Sequence, residues 1–381
     1  MRPLKSLVSL VFLAVLLACG GGGGSSAPLP TGRLTLRLGS DSFPGYTQAV
    51  VSLEKVEASG DGSHWTNLGT VRATYDLLGL QSGHSALVVS SVEVTAGVYT
   101  QFRLTWATAN YLDGTKQPAY VAFSPTTGAV LTMPSSMTTL MAGSITVPAN
   151  GLATAQLMFN GQQAVQQRAV TGYSFQATGT AYDLSLSARI TGHLADSAGP
   201  LANVEVFAET ADGIGLATVQ RRALTDSSGN YVLEGLPTGS LYFVVAQPQL
   251  PGTTVYPAAA ATPISALTAT GYTADLSFSS PVIPGAMTIT ITPASTSTQG
   301  TWAELRQTVA TGISGAQMLI IRSQTVVTGT TQDQAGLTGL APGSYGVTAQ
   351  RSSSGGPATM KNGSQVLVVG GATANTTLAI P

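Results

Sequence analysis

Cysteine is almost missing from this 381-residue sequence: Cys19 is the only one. A single thiol cannot form an internal disulfide, so the fold must rest on apolar burial and hydrogen bonds. A thiolate zinc site is excluded on the same ground. Charge is also scarce, at 9% of residues with a net of −1, against about 25% in an average globular protein. Without a basic block there is no electrostatic footprint for nucleic acid. Nothing steers an acidic substrate either. His64, His84 and His193 complete the histidines, and none stands in an H-E-x-x-H or at i, i+4 from another. His84 and Ser85 follow Gly83 and read as a turn. No G-x-S-x-G elbow occurs. The glutamates are scattered, and Glu54 and Glu57 cannot share a strand face because their spacing is odd. Asp41, Asp61, Asp113, Asp212 and Asp226 fall in loop-like stretches but form no Asp-x-Asp-x-Asp ladder for calcium. The chain is therefore read as a non-enzyme that needs no cofactor or metal.

What is present is apolar and turn-rich: 43% hydrophobic residues, with Gly 44 and Pro 20. Disordered chains combine low hydrophobicity with high charge, and this one has neither. Arg2 and Lys5 precede an apolar segment from Leu7 to Ala18, the length of a signal-peptide core and too short to span a bilayer. Beyond it no apolar run reaches the ~18 residues of a membrane helix. The segment ends at Leu16-Leu17-Ala18-Cys19, and Gly20 to Gly24 then read as a flexible tether.

That junction resembles the lipobox of bacterial lipoproteins, although Leu17 is bulkier than the usual residue there. The resemblance implies cleavage before Cys19, lipid attachment to Cys19 and a membrane as partner. One acyl chain alone binds a bilayer marginally, and several chains retain it stably. The absence of Asp at position 20 implies, by likeness to lipoprotein sorting, the outer membrane.

From Gly32 onward the pattern is short alternating runs broken by Gly, Pro, Asn and Asp, the mark of an all-β chain. In "RLTLRL" Leu34, Leu36 and Leu38 share one face. In "AVVSLEKVEA" Val51 and Leu53 point inward and the phase shifts at Lys55, which predicts a bulge. "GVYTQFRLTW" sets Tyr99 out of phase with Phe102, which predicts a bulge or two buried faces. "GLATAQLMFNG" reads as a further strand, and "TWAELRQTVA" (Thr301 to Ala310) is the best helix candidate.

"LTLRLGSDSFPGY", "AVVSLEKVEAS", "HWTNL", "YDLLGLQSG" and "VTAGVYTQFRLTWATANY" follow one another. Their order over residues 32–184 resembles bacterial lipoprotein domains of unknown function. That likeness implies architecture and location, and no activity.

A repeat follows. "EGLPTGSLYFVVAQ" (Glu234 to Gln247) returns as "TGLAPGSYGVTAQR" (Thr338 to Arg351), and "TGYTADLSF" is echoed by "GATANTTLAI". A near-constant separation of about one small domain predicts two tandem domains. In "RALTDSSGNYVLEGL" Asp226 is placed to accept turn backbone hydrogen bonds and Gly229 to take positive φ. These features, with "ARITGHLADSAGPLANVEVFAE", resemble carboxypeptidase-regulatory-like or collagen-adhesin B-type β-sandwiches. Some relatives carry a Lys–Asn isopeptide bond. The lysines here are Lys5, Lys55, Lys116 and Lys361, so the middle region has none, and Lys361 is expected in a Gly/Ser-rich loop rather than an early strand, which speaks against the bond there.

The expected layout is a signal peptide over 1–18 and a lipidated tether over 19–31. Tandem β-sandwiches of Ig-like or prealbumin-like kind then occupy 32–184, 185–280 and 281–381. The expected function is an outer-membrane structural or adhesion-type lipoprotein. The alternative is a carbohydrate- or peptide-binding module for a partner enzyme or transporter, with Trp65, Trp106 and Tyr111 as a shallow stacking platform. The competing role for those three side chains is core or strand-end packing.

Overall fold

A computed structural model of the chain describes residues 28–43, 46–112, 117–124, 127–167, 172–176, 178–211, 217–248, 254–261, 263–265, 268, 270–295, 299–310, 317–325, 329–353 and 359–380. Cys19 with its lipobox and glycine tether, Asp113, Lys116 and Asp212 lie outside them. The described chain is all-β. Its helical pieces are a 3-10 turn at Leu77–Leu80 and one α turn at Gly161–Ala164. Among the described residues no helix is long and apolar enough to cross a membrane.

The first unit contains β1 (Thr31–Ser40), β2 (Gln48–Ser59), β3 (Thr66–Asp76), β4 (Ala86–Thr95), β5 (Gly97–Trp106) and β6 (Ala119–Ser124). It continues through β7 (Thr127–Thr132), β8 (Thr138–Val147), β9 (Leu152–Phe159), β10 (Val165–Gln167), β11 (Tyr173–Phe175) and β12 (Gly179–Asp183). These make one sheet in the order β10-β11-β7-β6-β2-β5-β8-β12-β9-β1-β4, with β3 on β2. The sheet curls over a single core fed from both of its ends. Leu34, Leu36 and Leu38 face that core, as the alternation requires. Both expected bulges occur: pairing slips between Leu53 and Lys55, and between Tyr99 and Gln101. Each slip lets residues of opposite phase turn inward, so Tyr99 and Phe102 are both buried.

The second unit has β13 (Ser187–Asp196), β14 (Gly199–Pro200), β15 (Glu205–Ala211), β16 (Ala217–Leu224), β17 (Asn230–Pro237), β18 (Phe243–Ala246), β19 (Ala259–Ala260), β20 (Tyr272–Thr273) and β21 (Leu276–Ser277). One sheet runs β14-β13-β17, with β20 and β21 parallel to β13; the other runs β16-β15-β18-β19. Ile190, Leu194, Val206, Tyr231, Leu233 and Val244 are among the residues that fill the space between them. The expected turn is present: Asp226 accepts N–H bonds from Ser228 (2.8 Å) and Asn230 (2.9 Å), and Gly229 has φ 76°.

The third unit has β22 (Gly285–Thr292), β23 (Gln299–Ala310), β24 (Gln317–Thr325), β25 (Asp333–Leu340), β26 (Gly343–Ser353), β27 (Thr359–Asn362), β28 (Val366–Val368) and β29 (Thr373–Ala379). Its sheets are β25-β22-β29 and β24-β23-β26-β27, with β28 on β26. Strand order repeats that of the second unit, including a parallel last strand beside the first. A tyrosine contact recurs as well. Tyr242 donates to the Pro237 carbonyl (3.0 Å), and Tyr345 donates to the Ala341 carbonyl (2.8 Å). Gly235 and Gly339 precede them at the same φ of 68°.

Two expectations fail here. Thr301 to Ala310 is a strand, not a helix: Thr301, Ala303, Leu305, Gln307 and Val309 are buried while Glu304 and Arg306 face outward. That period of two is enforced by pairing with β24 on one side and β26 on the other. Good helix formers are overridden by the sheet. Lys361 belongs to the exposed edge strand β27, opposite Ala349, rather than to a loop.

Candidate functional site

The three aromatic residues named from sequence do not form a platform. Trp106 is core: it packs against Phe159 and edge-on to Phe175, and its Nε1–H donates to Thr139 Oγ1 at 2.9 Å. Trp65 is half-buried, and the Arg103 guanidinium covers its ring at 4.2 Å. Arg103 is itself held by Glu57 at 2.8 Å. Tyr111 is exposed, with its hydroxyl donating to Glu54. Thr66, next to Trp65, pairs with Ala58, whereas Trp106 pairs with Leu53, five residues back along β2, so the two indoles do not meet. Packing decided their placement, because a large ring with one polar group gains most when buried with that group satisfied.

The histidines are equally dispersed. His64 pairs with Asp61 at 2.6 Å on the surface; this raises the imidazole pKa and holds the Asp61 carboxyl far below its usual range. His193 lies in β13, where its N–H is bonded to Asp275. His84 follows the 3-10 turn. Among the described residues no three His, Cys, Asp or Glu side chains converge as a metal site.

Polar groups gather instead where the units meet. The outer face of β1, β9 and β12 carries Gly39, Gln156, Met158, Thr180 and Tyr182 in register, and it becomes buried toward the end of β1. The chain then delivers Asp41 and Ser42 to the second unit. Ser42 donates to Glu205, and the Arg222 N–H donates to Asp41 Oδ1 at 3.4 Å. Ser82, with φ 53°, donates to the Leu224 carbonyl (2.7 Å) and accepts the Leu224 N–H (3.3 Å). The first unit thereby covers the free edge of β16, an edge that would otherwise template foreign strands.

Two adjacent arginines complete the joint. Arg221 donates to the carbonyls of Glu234 (3.0 Å), Gly235 (3.1 Å) and Gln220 (2.6 Å), and its guanidinium lies 5.2 Å from the Tyr182 ring centre. Gly235 is required here: a Cβ would stand 2.2 Å from Tyr182 Cζ, and φ is positive. Arg222 reaches within 3.8 Å of Glu205 and stacks over Phe207 at 4.8 Å, its side chain only 10% exposed. Burial pushes the Asp41 carboxyl up to about 6, against the pull of Arg221 and Arg222. Burial also raises the Tyr182 hydroxyl and the Glu234 carboxyl.

Beside the joint opens a cleft of about 490 Å³ to which all three units contribute. β9 and β12 supply Met158 and Thr180, β16 supplies Thr218 and Gln220, and β23 supplies Glu304 and Arg306. Glu304 and Arg306 are paired with each other. The arrangement can order polar ligands and neutralise charge; it offers no activated nucleophile. Sequence reading placed Asp41 in a loop and passed over Arg221, Arg222 and Glu205. The legible signal was the Arg-Arg pair itself, in a strand of a chain with so little charge.

No curated protein sequence matches the chain. Solved structures match at low identity. The Bacillus anthracis TIE protein is 12% identical with a TM-score of 0.21, covering 92% of this chain, while the chain spans about half (51%) of that protein. A Streptococcal ancillary pilin is 12% identical (TM-score 0.20; 92% of this chain, 99% of that one). Shaft pilin spaA from Lactobacillus rhamnosus GG is also 12% identical (TM-score 0.20; 51% of this chain, 98% of that one). Similarity at this level says nothing of what the chain binds. Residues 31–177, which run from β1 through β11, match a family described as "Domain of unknown function (DUF4382)", as the motif order in this region led one to expect.

Proposed function

We propose that this chain is a non-enzymatic cell-envelope lipoprotein, anchored through Cys19 to the outer membrane, whose β-units act together as a structural or adhesion-type body. The observation that carries the reading is the joint. Ser42 and Asp41 of the first unit bind Glu205 and the Arg222 N–H of the second, and Arg221 reaches back to Thr180 and the Tyr182 ring. In a chain with few charged residues, these are committed to rigidity rather than to a reaction centre. The lipobox and the glycine run supply the anchor and tether. The second and third units are two copies of one carboxypeptidase-regulatory-like sandwich, a reading supported by their shared strand order and paired tyrosine contacts.

The test is metabolic labelling with palmitate followed by membrane fractionation. The unaltered chain is expected to carry label and to sediment with outer membranes; Cys19→Ser is expected to lose label and to appear in the soluble fraction. Label that survives the substitution, or a Cys19→Ser chain that stays on the membrane, overturns the anchor.

A further inference from the structure

We propose that the cleft at the meeting of the three units binds a neutral, polyhydroxylated ligand, a saccharide. At about 490 Å³ it lies within the ~300–1,000 Å³ span of small-molecule sites, and it sits at a junction between units, where such sites concentrate. Its lining is polar: five residues that both donate and accept stand beside five charged ones, Asp41, Arg221, Arg222, Glu304 and Arg306. The hydroxyls of Thr178, Thr180 and Thr218 and the amides of Asn160 and Gln220 surround the opening. On β23 the Glu304 carboxylate and the Arg306 guanidinium stand side by side facing the cleft, an acceptor next to a donor fork. That spacing suits adjacent hydroxyls of a sugar ring, which donate to one and accept from the other.

Charge argues for a neutral ligand. Arg222 faces Glu205, Arg306 faces Glu304, and Arg221 is committed to three backbone carbonyls. Each of these arginines is already turned to a partner within the chain. The wall behind the lining is short of partners, however. Gln156 Nε2 and the Tyr182 hydroxyl are buried without a hydrogen bond among the described residues. Gln156 and Tyr182 lie opposite each other in register, on the same face as Met158 and Thr180, which line the cleft. Both buried atoms stand behind the lining residues and out of reach of the opening, so a ligand is held by the lining itself. This site is separate from the aromatic residues named from sequence, and it does not depend on the lipid anchor.

The experiment is calorimetric titration of the full chain in detergent with maltose, cellobiose and diacetylchitobiose, and with trigalacturonate as the acidic counterpart. Saturable binding of at least one neutral sugar is expected. Glu304→Ala and Thr218→Val are each expected to weaken it about tenfold or more, the scale of a lost charged or buried hydrogen bond. Circular dichroism should match that of the unaltered chain, since Glu304 and Thr218 both lie outside the hydrophobic cores. Trp65→Ala should bind normally. Absence of binding by all three neutral sugars overturns the proposal, as does preference for trigalacturonate. Binding that is lost in Trp65→Ala yet kept in Glu304→Ala overturns it too.

Discussion

Asp41 holds its proton in the folded chain to about pH 6, whereas an unburied aspartate releases it near 3.8. Burial beneath the second unit is the main cause; the charges facing it are Arg221, Arg222 and Glu205. The folded state binds more protons between those two values. The group's contribution to stability is therefore complete below about pH 4 and is lost as pH rises through about 6. Asp41→Asn keeps an oxygen for the Arg222 N–H and carries no charge. Its Tm is expected to equal that of the unaltered chain near pH 4 and to exceed it above about pH 7, with the gap opening between. Calorimetric scans across that range decide the matter: a gap independent of pH would show that desolvation of the carboxylate is not what Asp41 contributes. Nothing in the sequence around Asp41 foretold this. "LGSDSFPG" reads as a polar loop, and only the approach of a strand 181 residues away removes it from water.

Among the elements, those with clean alternation were legible from sequence and those stabilised from outside were not. Leu34, Leu36 and Leu38 announce β1 unaided, and the phase breaks at Lys55 and Tyr99 announce their bulges. β23 was misread because Ala303, Glu304, Leu305 and Arg306 favour a helix locally, while its two sheet neighbours come from later in the chain. The same long-range logic governs Asp333, which is fully buried. It accepts from the Ser295 N–H (2.9 Å), from Thr301 (3.1 Å) and from Arg351 (3.0 Å), so it ties β25 of one sheet to β23 and β26 of the other. Arg351 also donates to the Pro293 carbonyl at 2.6 Å. Arg351→Ala would leave the carboxylate buried without its cation, and a loss of roughly 3–5 kcal/mol is expected in urea unfolding. Replacing the pair together, as Asp333→Leu with Arg351→Met, should recover part of that loss, because no uncompensated charge then remains. A single-substitution cost below about 1 kcal/mol would mean that the pair is not what closes the third sandwich.

At the scale of the molecule, the first and second units are joined by specific polar contacts. A linker of ordinary turn residues would leave neighbouring sandwiches to unfold independently. Here the first unit covers the β16 edge, buries Asp41 and Ser42 against Glu205, and packs the Tyr182 ring against Gly235. Unfolding the second unit must expose these groups, so the two should melt as one calorimetric transition. Glu205→Ala with Arg222→Ala removes the buried ion pair and the Ser42 contact without touching either core. The expected result is two resolved transitions, the first unit melting separately from the second. Gly235→Ala tests the same joint without altering charge, since a methyl group 2.2 Å from Tyr182 Cζ must displace the ring. If both variants keep the single transition, or if the unaltered chain already shows independent melting, the units are held by something other than this joint. Separation in both variants would mean that the rigidity on which an envelope scaffold depends is encoded in a few residues, Glu205, Arg222 and Gly235 among them.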